Sequence, residues 1–96
     1  MPIVMSMKWA GVTPEQYEKV RKASNYEVDV PKGAIYHVAA FDKEGMRVTD
    51  VWETADDFNN FVKTRLMPAV QQVGMKGEPK VEILPATAIF APGYKK

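Results

Sequence analysis

From Ile3 to Trp9 apolar side chains fall at every second position: Ile3, Met5, Met7 and Trp9 share one row, Val4, Ser6 and Lys8 the other. A period of two belongs to a β-strand covered on one face, so the spacing predicts a strand over 3–9 with the first row inward. The period then changes. Thr13, Pro14 and Gln16 make a complete helix start: a hydroxyl to cap, a proline at the first helical position, and a side chain that can reach back to the cap. Val12 and Tyr17 occupy the two positions of a hydrophobic staple. Tyr17, Val20 and Ser24 continue one face, with Ala23 beside it, while Glu15, Glu18, Lys19, Arg21 and Lys22 make the wet one. The helix is placed at 13–24.

A connector from Asn25 closes with the turn Pro31-Lys32-Gly33. Ala34 to Phe41 is then apolar on both rows, the pattern of a strand covered on both faces. Asp42-Lys43-Glu44-Gly45 reads as a hairpin turn, and Met46 to Glu53 as its return strand. Thr54 caps a second helix whose stripe is Phe58, Phe61, Val62, Leu66, Ala69, Val70 and Val73. Pro68 must interrupt it, with a kink or restart near Met67 and an end at Gly74. A loop over 75–79 leads to a last strand over 80–90, where Pro85 argues for an edge or a bulge. Residues 91–96, including Lys95-Lys96, are a tail.

The predicted order is βαββαβ, one α+β domain over 1–96. The halves echo each other, Thr13-Pro-Glu-Gln-Tyr17 against Thr54-Ala-Asp-Asp-Phe58, each with a tryptophan shortly before the cap. Such a duplication suits a ferredoxin-like arrangement with a four-stranded antiparallel sheet. Two helices cover one face of that sheet, and a strand apolar on both rows needs a second cover. Packing two sheets face to face in a homodimer supplies it.

The βαββαβ order, the doubly apolar strand, and the Val51-Trp52-Glu53-Thr54 junction leading to Phe58 and Phe61 resemble the dimeric α/β-barrel superfamily, near the antibiotic-biosynthesis-monooxygenase type. The resemblance spans about residues 3–90. It implies a dimeric α/β barrel with a cavity between sheet and helices in each subunit. Members include cofactor-free oxygenases, haem-handling enzymes, isomerases and ligand-binding proteins, so the fold does not choose a function.

Composition narrows the field. Thirteen basic and 12 acidic residues leave a formal charge of +1, too little field to draw nucleic acid. There is no cysteine, which removes disulfides, thiolate nucleophiles and thiolate-held metals. No segment approaches the roughly 18 apolar residues of a membrane span, and a cytoplasmic location is expected. No glycine-rich phosphate loop, nucleophile elbow or paired catalytic carboxylates is present, and Ser6 and Ser24 have no neighbouring base in sequence.

His37 is the only histidine. It falls in the doubly apolar strand, where it is either a general base lining a pocket or a satisfied core or interface histidine. Asp50 interrupts an apolar row and needs a partner. A hairpin centred on Lys43-Glu44 brings 37 opposite about 50, so the pair forms a candidate acid–base couple in which Asp50 orients the imidazole. Arg65 lies on the stripe of the second helix as an anion binder or a snorkelling edge residue. Tyr36, Tyr17, Tyr26 and Trp52 can wall an aromatic pocket or pack a core. A lone histidine without clustered carboxylates predicts neither metal nor other cofactor, and the haem-binding relatives' axial histidine comes from a helix. The leading expectation is a homodimer binding a small apolar or aromatic molecule in each subunit. The alternatives are a cofactor-free oxygenase- or isomerase-like enzyme with His37 as base, and an oligomerisation module without ligand.

Overall fold

The structure, a computed structural model, describes residues 2–93, and the Lys95-Lys96 pair lies outside them. Chain order is β1 (Ile3–Ala10), α1 (Pro14–Ser24), β2 (Ala34–Asp42), β3 (Gly45–Trp52), α2 (Ala55–Phe61), a π-helical turn (Val62–Leu66), α3 (Met67–Val73) and β4 (Lys80–Pro85). The strands form an antiparallel sheet in the order β2-β3-β1-β4.

Alternation places Met5, Met7 and Trp9 of β1 on the inner face, where all three are buried. Across the ladder they meet Asp50, Val48 and Met46 of β3. Val20 of α1, Phe58 and Phe61 of α2, and Ala69 and Val70 of α3 complete one core with them. Burying each large apolar side chain contributes about 1.5–3 kcal/mol, so the Met-Trp row anchors the fold. The outer row of the same strand is polar at Ser6 and Lys8, both exposed.

The α1 start is the predicted capping box. Thr13 Oγ1 accepts from the Gln16 N–H at 3.2 Å, and Gln16 Oε1 accepts from the Thr13 N–H at 3.1 Å. Asn25 ends the helix in the left-handed conformation at φ 55°, donating its N–H to the Arg21 carbonyl. Removing the Thr13 cap would cost about 1 kcal/mol.

The β2–β3 turn is fixed by Asp42. Its Oδ1 accepts from the Glu44 and Gly45 N–H groups at 2.8 and 3.0 Å, and its Oδ2 holds Arg47 Nε at 2.6 Å. The Arg47 guanidinium, then the Glu44 N–H, hold this carboxyl below its ordinary range. Gly45 adopts φ 150°, and a Cβ there would strike the Trp9 carbonyl. Asp42 pairs with Gly45, and the ladder runs from there in register through His37 opposite Asp50. A bulge between Ala34 and Tyr36 shifts the register, and Ala34 then pairs with Trp52.

Two expectations change, while the second helix restarts at Met67 as expected: after a π-helical turn the Met67 N–H reaches back five residues to the Val62 carbonyl, and Pro68 sits in the first turn of α3. Proline cannot donate and its ring crowds the preceding turn, so the chain widens before it. The last strand stops at Pro85, because that residue pairs with Ile3 where β1 itself begins. The Ala86 N–H turns instead to the Pro2 carbonyl at 2.9 Å. Finally, β2 is an edge strand, exposed along much of both rows within one chain. Its apolar character is real, but its own helices cover it only in part, at His37, Ala39 and Phe41.

Candidate functional site

The hairpin register sets His37 and Asp50 side by side on the inner face. His37 Nδ1 lies 2.6 Å from Asp50 Oδ1, and Trp52 Nε1 donates to Asp50 Oδ2 at 3.0 Å. A carboxylate only accepts, so in the neutral imidazole Nδ1 carries the proton and Nε2 is left as acceptor. Tyr17 Oη stands 2.8 Å from that Nε2 and 2.6 Å from Tyr26 Oη. One polarity satisfies every member: Tyr26 donates to Tyr17, Tyr17 to His37, and His37 and Trp52 to Asp50. Among the described residues no buried side-chain nitrogen or oxygen lacks a partner.

Each member is placed by local structure. Tyr17 lies in the first turn and a half of α1, after the Thr13 cap and the buried Val12 that precedes it. Tyr26 follows the left-handed Asn25, and the next residue, Glu27, is gripped by Arg21 through two bonds of 2.6 and 2.8 Å. Asp50 and Trp52 project from the same row of β3 and are buried. The Tyr17 and His37 rings stack at 10° with centroids 6.2 Å apart, and Tyr26 meets the imidazole edge-on at 5.1 Å.

Burial pushes both phenols above their ordinary value. In Tyr26 the bond to Tyr17 adds to that rise, whereas in Tyr17 the bond to Tyr26 and the Arg21 charge oppose it without cancelling it. Both hydroxyls therefore stay protonated at neutral pH.

A cavity of about 850 Å³ opens beside this chain, between the sheet and the helices. Met7, Ala39 and Phe41 wall it on the sheet side, and Val20, Leu66 and Val70 on the helix side. Tyr17, Tyr26, His37 and Asp50 meet on its wall, which Glu18, Arg21, Ser24 and Glu27 also border. Val30 and Ile35, both exposed, also border it.

Of the residues singled out from sequence, His37, Asp50, Tyr17 and Trp52 come together here. Tyr36 borders the cavity but alternates with His37, so its side chain belongs to the opposite row with Val38 and Ala40. Arg65 lies elsewhere. Its Nη2 donates to the Ser24 carbonyl at 2.7 Å, its Nη1 stands 3.9 Å from Asp29, and its guanidinium covers the Phe61 ring at 5.4 Å. It ties the π-helical turn to the end of α1. Sequence reasoning finds Tyr26 as a pocket aromatic but misses its hydroxyl's place in the chain; the signal was its position just past a helix-ending Asn25. Among the described residues no three potential metal ligands converge.

The sheet order and the helices packed on its inner face make this a ferredoxin-like fold. It is shared with SnoaB, a cofactor-independent oxygenase from Streptomyces nogalater, at 14% identity and a TM-score of 0.61 over 92% of this chain and 93% of that one. A dimeric ferredoxin-like protein of unknown function from Thermobifida fusca is similar at 15% identity and a TM-score of 0.65, over 90% and 92%. A candidate antibiotic biosynthesis monooxygenase from Deinococcus radiodurans is similar at 13% and 0.57, over 95% and 97%. At these identities the likeness is one of fold. No protein-family model matches the sequence, and comparison with curated proteins gives no match.

Proposed function

We propose that the protein is a homodimer in which each subunit takes a small apolar or aromatic molecule into the cavity between sheet and helices. The observation that carries this reading is the cavity: about 850 Å³, largely apolar on its walls, with the Tyr17, Tyr26, His37 and Asp50 side chains joined in one hydrogen-bonded chain along it. That volume falls within the usual range of small-molecule sites. An assembly module without ligand has no use for such a space. Self-association is supported by the outer row of the sheet, where Val38 is 41% and Leu84 53% exposed, and by the dimeric state of the Thermobifida fusca protein. A two-fold pairing of this row with itself covers it in both copies.

A second reading makes the protein an enzyme of the cofactor-free oxygenase or isomerase kind. It is favoured by the 2.6 Å contact that leaves His37 Nε2 as the basic nitrogen, with Asp50 as its orienting partner. Removal of a proton from the bound molecule is a step that both kinds of chemistry share.

Titration with 7-methoxycoumarin, an apolar two-ring probe, tests the binding reading. Saturation at one molecule per subunit is expected. Ala39→Trp fills the cavity and should abolish binding while leaving the assembly mass unchanged; undiminished binding in that variant would overturn the reading.

A further inference from the structure

We infer that residues 28–32, in the connector between α1 and β2, form a strap that closes over the occupied cavity and seats the Val30 side chain on the bound molecule opposite Ile35. This rests on the reading of the cavity as a small-molecule site and adds to it how the bound molecule is enclosed.

Three apolar side chains stand uncovered at this edge of the molecule: Val28 is 82%, Val30 52% and Ile35 41% exposed. Val30 and Ile35 border the cavity, one before the Pro31-Lys32-Gly33 turn and one after it. Ile35 is the residue that the bulge leaves out of the ladder, since Ala34 pairs with Trp52 and Tyr36 with Val51. A bulge re-aims the side chain it carries. Apolar groups left in water beside an apolar cavity gain by burial once a bound molecule supplies the opposing surface.

The strap is held at both ends and loose between them. Before it, Arg21 grips Glu27 through bonds of 2.6 and 2.8 Å, and Tyr26 joins Tyr17 at 2.6 Å. After it, the Gly33 carbonyl accepts from the Glu53 N–H at 2.8 Å, and the Asp57 carboxylate fills the space that a Cβ on Gly33 would need. Among the described residues the backbone bonds between these anchors stay local. The Val28 and Asp29 N–H groups donate to the Asn25 carbonyl at 3.3 and 3.0 Å, and the Ala34 N–H to the Pro31 carbonyl at 3.2 Å. The side-chain tie is Asp29 to Arg65 at 3.9 Å, with Asp29 78% exposed. An ion pair that long and that wet is weak. Neither Val28 nor Val30 packs on the core, whereas Tyr26 does. A segment with wet, local bonds and little apolar contact moves at low cost.

The direction of the motion follows from the anchors. Gly33, at φ 84°, is the pivot on the sheet side. Pro31, whose ring fixes its φ, lines the cavity with Val30, so the two swing as one piece. That swing carries Val30 across the mouth toward Ile35 and leaves Tyr26 and Glu27 in place. Val28 stays outside, against a shallow hollow bordered by Lys22 and Asn25. A bound molecule draws the strap shut because only the closed form gives it the Val30 contact.

The test follows 7-methoxycoumarin binding to the full chain by stopped-flow fluorescence, alongside trypsin cleavage after Lys32, an exposed residue of the strap. Binding to the wild type should show a fast phase and then a slower one whose rate levels off as probe concentration rises, the mark of closure after entry. Saturating probe should slow the cut after Lys32 severalfold and leave the cut after Lys43, in the β2–β3 turn, unchanged. Val30→Ser should remove the slow phase and speed probe release about tenfold, the worth of burying one valine side chain. Val28→Ser should keep both the slow phase and the wild-type release rate. Binding in a single phase, equal protection at Lys32 and Lys43, or a slow phase that survives Val30→Ser overturns the strap alone and leaves the cavity a fixed, open site. A wild type that does not bind the probe overturns the small-molecule reading, and the strap with it.

Discussion

His37 and Asp50 are cross-strand partners on the inner face of the sheet, and their side chains close to 2.6 Å. Asp50 is buried, with its second oxygen engaged by Trp52, whereas the His37 side chain remains 32% exposed. The carboxylate is thus anchored from the core side and presents a fixed acceptor to a ring at the cavity edge. That asymmetry decides which imidazole nitrogen holds the proton.

Replacing Asp50 with asparagine should move that proton. The carbonyl of the substituted side chain must serve the buried Trp52 N–H, because an unsatisfied buried donor costs about 1–3 kcal/mol. Its amide nitrogen then faces His37 as a donor, Nδ1 becomes the acceptor, and the hydrogen goes to Nε2. The chain holds one histidine, so nitrogen NMR of the ring reports the change without ambiguity. The wild type should show Nδ1–H and Asp50→Asn Nε2–H. An unchanged tautomer would contradict the assigned polarity of the whole hydrogen-bonded chain.

The register behind this pair depends on Gly45. At φ 150° an added Cβ meets the carbonyl of Trp9 and the backbone of Gly11, so Gly45→Ala combines backbone strain with a backbone clash. Gly74 is also at positive φ, 83°, but has open space around it. Urea unfolding should show Gly74→Ala losing about 1 kcal/mol and Gly45→Ala clearly more, about 2–3 kcal/mol. Equal losses would mean that the turn relaxes freely and does not set the ladder.

What the sequence discloses here is what local chemistry decides. The Met5-Met7-Trp9 alternation, the Thr13–Gln16 box and the Lys43-Glu44 hairpin each involve residues a few positions apart, and each stands as read. From the hairpin alone, position 37 could be set opposite 50. The differences arise where distant segments compete. Whether β2 is central or an edge depends on sheet order, which no residue of 34–41 encodes. The end of β4 is set by where β1 starts, and the widened turn at Val62–Leu66 by how a helix accommodates Pro68. Tyr26 reaches Tyr17 only because the chain folds back past Asn25.

The outer row of the sheet offers a direct test of assembly. Val38 sits on that row, with Tyr36 and Ala40 as its neighbours along the strand, and its side chain takes no part in the core. Val38→Asp should leave the thermal unfolding of the chain little changed but halve the mass seen by light scattering at micromolar concentration. A desolvated carboxylate facing its symmetry mate is strongly unfavourable in a two-fold contact. If the variant keeps the mass of the wild type, the outer row is not the interface.

Alkaline pH tests the tyrosine pair from the side of stability. A phenol titrates at about 10.0 when unperturbed, and both Tyr17 and Tyr26 are held above that in the folded chain, chiefly by burial. Below that pH the phenols are neutral in both states, and the stabilisation is present in full. As pH rises past it the unfolded chain releases protons that the folded chain retains, so the equilibrium tilts toward unfolding until the folded phenols also ionise. Urea midpoints of the wild type should therefore fall from about pH 10 upward. The double variant Tyr17→Phe/Tyr26→Phe carries the same lysines and arginines but neither phenol, and its midpoint should fall less steeply over that range. Parallel profiles would show that the two hydroxyls ionise alike in the folded and unfolded chains, leaving no buried pair to hold a proton.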